Sequence, residues 1–110
     1  MAVITVDEDR VRELAAELAR EPKSWDDCVW LFAETELRLR PALVGGALYQ
    51  QGVEARQVEL APDLVVDQPA EGDIHALAEE IARLGPSLQD LHWYIAERSF
   101  IYAQVKAAAE

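Results

Sequence analysis

The chain has 110 residues, with 21 acidic against 10 basic side chains and a formal net charge of −11. That length suits one domain, 1–110, burying a single cooperative core, and the 51% hydrophobic content excludes an intrinsically disordered chain despite the charge. The sign of the charge excludes nucleic acid and anionic membranes as direct partners and favours basic protein surfaces.

The acidity is uneven. Residues 54–97 carry ten acids and two bases, whereas 1–53 sum to −4 and 98–110 to +1. The single cysteine, Cys28, rules out an intramolecular disulfide and a multi-thiolate zinc site within one chain. Asp26 and Asp27 beside it are expected to raise its pKa, so Cys28 reads as a buried structural thiol rather than a nucleophile. No run of 18 apolar residues is present. Residues 1–7 lack the basic and apolar regions of a signal peptide, and the expectation is a cytoplasmic protein.

Residues 2–6 are short and β-branched, a strand or an extended arm. Thr5 and Asp7 are both credible caps for a first helix running to about Arg20. Its Val11, Leu14, Ala15 and Leu18 fall at the i, i+3, i+4, i+7 spacing of one buried stripe. Ser24 caps a second helix, with Asp26 and Asp27 in the first turn where the helix dipole favours them. Trp25, Cys28, Val29 and Phe32 make one face, and Trp30, Leu31 and Leu37 widen it, which marks a central helix. Both Trp25 and Trp30 read as too deep in this apolar run to serve as stacking platforms.

Pro41 opens a predicted third helix over 41–51, with Leu43, Val44, Ala47 and Leu48 apolar and Gly52 as its stop. Gly45-Gly46 inside it marks close packing or a bend. The alternation at 57–60, the turn at 61–63 and the β-branched 64–66 predict a small β-hairpin within 56–67, joined or not by the N-terminal strand. Asp73 is the predicted cap of a fourth helix with the stripe Ile74, Leu77, Ala78 and Ile81, ended by Gly85-Pro86. Ser87 caps the last helix, which runs to about Ala107. Leu88, Leu91, Ile95 and Tyr102 lie on one of its faces, and Trp93, Phe100 and Ile101 on another. A helix apolar on two faces needs two partners, so it is either the central helix of the domain or half of a homodimer interface. The predicted fold class is mainly α, about five helices round one core with a small β-hairpin.

Catalytic motifs are missing. The glycines fit neither GxGxxG nor GxxxxGK, and no GxSxG is present. His75, Glu79 and His92 are the one set worth testing as a metal site. Gln89 and Gly72 stand where the Glu of a Glu-x-x-His pair would be, and no metal or other cofactor is expected. Neighbouring carboxylates such as Glu79 and Glu80 point about 100° apart on a helix and do not converge by themselves.

The expectation is therefore a non-enzymatic, acidic protein-binding module. Glu54, Glu59, Asp63, Asp67, Glu71, Glu79 and Glu80 would contact a basic protein, such as a nucleic-acid-processing enzyme or a toxin, and inhibit it. Anti-defence and immunity-type inhibitors share this size and charge, an analogy of gross character alone. The alternative is a homo-oligomeric structural or adaptor subunit, self-associating through Trp93, Phe100 and Ile101.

Overall fold

The computed structural model describes residues 3–21, 23–43, 57–61 and 68–109. In chain order these form β1 (Val3–Thr5), α1 (Glu8–Arg20), α2 (Trp25–Leu39), a 3-10 turn (Arg40–Ala42), β2 (Gln57–Glu59), α3 (Glu71–Leu84) and α4 (Leu88–Ala109). The helix starts follow local chemistry. Asp7 Oδ1 accepts from the backbone N–H groups of Asp9 at 3.1 Å and Arg10 at 3.2 Å. Ser24 Oγ accepts from Asp27 N–H at 3.1 Å, and Ser87 Oγ from Asp90 N–H at 3.0 Å. Each cap satisfies donors that the first helical turn leaves open. At the other end of α3, Gly85 takes the left-handed conformation, with φ 62°, which glycine adopts without a Cβ penalty.

The described residues hold four α-helices rather than five. The predicted helix over 41–51 begins instead as the 3-10 turn, and Leu43 is already extended (φ −115°, ψ 141°), bridging Leu60 in antiparallel fashion. Residues 44–51 lie outside the described residues. The N-terminal strand joins the predicted hairpin region, one of the two arrangements the sequence allows. β2 pairs antiparallel with β1 in the register Val3↔Glu59, Ile4↔Val58 and Thr5↔Gln57, so the N-terminal strand supplies the pairing, and 62–67 lie outside the described residues. In α3 the helix starts two residues before the predicted cap. Ala70 holds the cap position with no side-chain bond, and Asp73 sits inside the first turn, where its charge suits the dipole.

Helix α4 is the central element, packed by α1 and α2, while α3 packs against α2. Leu91 and Ile95 on one apolar face of α4 and Ile101 on the other are buried within the same chain. The core falls into two apolar clusters. One gathers Cys28, Val29, Phe32 and Ala33 of α2, Ile74, Leu77 and Ile81 of α3, and Leu91 and Ile95 of α4. The other gathers Ile4, Val58 and Leu60 of the sheet end, Leu39, Ala42 and Leu43, and Ile101 and Val105 of α4. Between them on α2 and α4 lie three buried charged residues, Glu36, Glu97 and Arg98.

Candidate functional site

A group of exposed acids sits on the solvent side of α3. Ile74, Leu77 and Ile81 are buried at 0, 3 and 7 residues along the helix, so the helical period turns Glu71, Asp73, His75, Glu79, Glu80 and Arg83 outward, and all six are exposed. Glu79 stands between His75 and Arg83 of its own helix. Its Oε1 lies 3.4 Å from His75 Nδ1 and its Oε2 lies 3.9 Å from Arg83 Nη2. These are loose, hydrated contacts, easily exchanged. Glu59, on β2, is half-buried. Of the other predicted contact acids, Glu54, Asp63 and Asp67 lie outside the described residues.

A groove of about 200 Å³ runs along the seam of α2 and α3. Trp25 and Trp30 form its α2 wall, Ala78 and Ala82 its α3 side, and Asp26 and Glu79 stand among its lining residues. This corrects the expectation that both tryptophans are deep in the core. They are half-buried, because Cys28, Val29 and Phe32 take the inner face of α2 and turn the flanking positions toward its edge. Trp25 is fixed in orientation, its indole N–H donating to the Pro86 carbonyl at 2.8 Å across the α3–α4 connection.

A second, larger cleft of about 580 Å³ separates α1 from the start of α4, with Ala15, Ala16 and Ala19 facing His92, Trp93 and Tyr94. His92 is therefore on a different seam from the His75–Glu79 pair, and the described residues contain no group of three or more His, Cys, Asp or Glu that could hold a metal ion. Of the predicted self-association residues, Trp93 and Phe100 are half-buried, whereas Ile101 is only 3% exposed and belongs to the sheet-end cluster. Ile101 is thus a core residue and not a surface contact, because the sheet formed by β1 and β2 covers that face of α4.

Between the two apolar clusters, Arg98 crosses from α4 to α2. Its Nε donates to Glu36 Oε1 at 2.9 Å, and its Nη1 donates to the Tyr94 carbonyl at 3.1 Å and to Glu97 Oε1 at 3.4 Å. Arg40 Nε closes on the other oxygen of Glu36 at 3.1 Å. Arg98 and Glu36 are essentially without solvent exposure, at 1% and 0%. The guanidinium carbon lies 4.6 Å from the Phe32 ring centroid, so the ring face offsets the one buried guanidinium nitrogen, Nη2, that has no hydrogen-bond partner. Glu97 is pushed up to about 7, chiefly by burial; Arg98 and the Trp93 indole N–H oppose the rise. That indole nitrogen is buried and faces the carboxyl without closing a hydrogen bond of ordinary geometry.

The sequence reading missed this layer, although a signal exists. Glu36 stands four residues after Phe32 and three before Leu39, and Arg98 stands three after Ile95 and three before Ile101. Both charges interrupt apolar stripes at helical spacing. Cys28 is buried as expected, and burial is the first cause of its raised pKa; Asp27 adds to the rise and Lys23 opposes it.

Among the described residues no helix is long and apolar enough to cross a membrane. Comparison of the chain with protein-family models, with curated proteins and with solved structures finds no match.

Proposed function

We propose that the protein is a non-catalytic acidic module that binds a basic protein and inhibits it by occupying its cationic surface. The observation that supports this reading is the outer side of α3, where Glu71, Asp73, Glu79 and Glu80 are exposed together on a chain of net charge −11. Fields of that sign steer basic partners into encounter and discriminate against acidic ones. The acids at Glu54, Glu59, Asp63 and Asp67 extend the same contact in this reading. An occupied cationic surface on a nuclease or a toxin is one that cannot engage its own anionic substrate, and inhibition follows from competition alone.

The test is retention of host proteins on the immobilised protein at low salt, repeated with the Glu79→Lys/Glu80→Lys variant. The wild type should retain a basic protein that a high-salt wash releases, since exposed charges are screened. The reversed variant should melt at the wild-type temperature and retain none of it. Equal retention by both proteins, or retention of a salt-resistant second copy alone, overturns the reading.

A further inference from the structure

We infer that the α2–α3 groove is a receptor for a single arginine side chain presented by the basic partner. The inference rests on the acidic-module reading and adds to it a defined point of contact.

The walls suit a cation. An indole face carries the most favourable ring quadrupole for a positive charge, and arginine is the side chain that most often uses it. Here two indoles, Trp25 and Trp30, line one groove. Asp26 and Glu79 add two carboxylates to it, one from each helix, and both are exposed. Among the described residues, the one basic side chain lining the groove is His75, which leans on Glu79 at 3.4 Å. Arg83 approaches Glu79 from the same helix at 3.9 Å, with three-quarters of its side chain in solvent, a contact loose enough for an incoming guanidinium to replace. Ala78 and Ala82 keep the α3 side low, leaving room beside the rings.

Size narrows the occupant. Sites for drug-sized ligands run from about 300 to 1,000 Å³, and this groove, at about 200 Å³, holds one long side chain. The bond from Trp25 to the Pro86 carbonyl at 2.8 Å fixes one wall in advance, so that ring loses little freedom on binding. The larger α1–α4 cleft lacks this combination: Arg12 and Asp90 both line it, and it shows no preference of sign.

The chain has three tryptophans, and their indole N–H signals in a proton–nitrogen correlation spectrum read the groove directly. The intact protein is titrated with acetyl-arginine amide and, separately, with acetyl-citrulline amide, its uncharged counterpart. Arginine amide should move the Trp25 and Trp30 signals in a saturating manner and leave Trp93, in the other cleft, in place. Citrulline amide should bind about 2- to 5-fold more weakly or worse, the factor expected for losing an exposed cation–π contact. Trp30→Ala should abolish the shift at Trp25. Because Trp30 also packs on the core, Asp26→Asn provides a second variant at an exposed position, and it should weaken binding by a similar factor.

Arginine amide that moves no indole signal, or moves them no more than citrulline amide does, overturns the groove assignment and leaves the wider acidic face to its own salt-release test. Arginine binding in the groove with no basic protein retained from the host supports the groove and overturns the module reading instead. The two failures are therefore separable.

Discussion

Replacing Glu97 by Gln should make the protein more stable at alkaline pH and should flatten part of its pH dependence. The Glu97 carboxyl titrates at about 7 in the fold against an ordinary value of 4.5. Between those values the folded state holds a proton that the unfolded state has released. The unfolded state therefore binds fewer protons, and stability falls as pH rises through this window and is level above it. From 4.5 to about 7 is about 2.5 pH units, and at about 1.4 kcal/mol per unit the whole span is about 3 kcal/mol. Glutamine copies the protonated acid in shape, keeps an acceptor toward Arg98 Nη1 and cannot ionise. Urea unfolding of both proteins from pH 5 to pH 8 isolates the effect, because every other titrating group cancels in the difference. The advantage of Glu97→Gln should grow by about 2 to 3 kcal/mol across that range, about 10 °C or more in Tm for a domain this small. A difference that stays flat, or that turns against the glutamine variant as pH rises, would show that Arg98 and Trp93 outweigh burial and that the carboxylate is the form the fold prefers.

Other substitutions test other parts of the structure. Arg98→Leu should cost about 3 kcal/mol in chemical unfolding, the low end for breaking a buried pair, because Glu36 loses its buried guanidinium and keeps Arg40 on its other oxygen, while the double variant Glu36→Leu/Arg98→Leu should regain most of the loss; equal losses in both would refute the buried-pair account. Ile101→Ala should cost about 2 to 5 kcal/mol as a core truncation at any protein concentration. A loss of stability seen only at concentrations where the wild type is dimeric would return Ile101 to an interface. Gly85→Ala meets no atom within 4 Å, so its cost is backbone strain alone, about 1 kcal/mol in a thermal melt, and an unchanged melt would mean that the left-handed turn relaxes freely.

What could be read from the sequence was local. The caps Asp7, Ser24 and Ser87, the stop at Gly85 and the stripe of α3 each depend on residues within a turn or two of one another, whereas of the stripe predicted on α1 only Val11 is buried. The two-sided apolarity of α4 was also plain, but not which surfaces would fill its two sides. That depends on β1 reaching residues 57–59, a pairing set by the whole chain and not by either strand. The start of the predicted 41–51 helix differs for a related reason: Pro41 and the apolar pattern suit a helix, yet Leu43 is drawn into extended pairing with Leu60. For the candidate site, periodicity placed Glu79 and Glu80 on the outside, and both are exposed. It misjudged Trp25 and Trp30, because an apolar run does not reveal which of its members the neighbouring helix leaves at the edge. Glu36 and Arg98, 62 residues apart, each resemble a surface charge until the two helices meet.

The buried Glu36–Arg98 layer also acts as an alignment key. The apolar clusters on either side of it are built mainly from Leu, Ile and Val, with Cys28 and Phe32 in one of them, and aliphatic side chains of similar volume replace one another at little cost. Two helices joined only by such surfaces could slide past each other by a turn, about 5.4 Å, and still find hydrocarbon to bury. With the charges in place, the same slide breaks the Glu36–Arg98 pair and sets both buried ions against hydrocarbon on the facing helix, at a cost of several kcal/mol. Only one setting of α2 against α4 escapes that cost. Removing both charges should therefore leave the melting temperature nearly intact yet broaden and multiply the amide signals of α2 and α4, as neighbouring settings come within reach. The layer would then contribute uniqueness of fold more than strength.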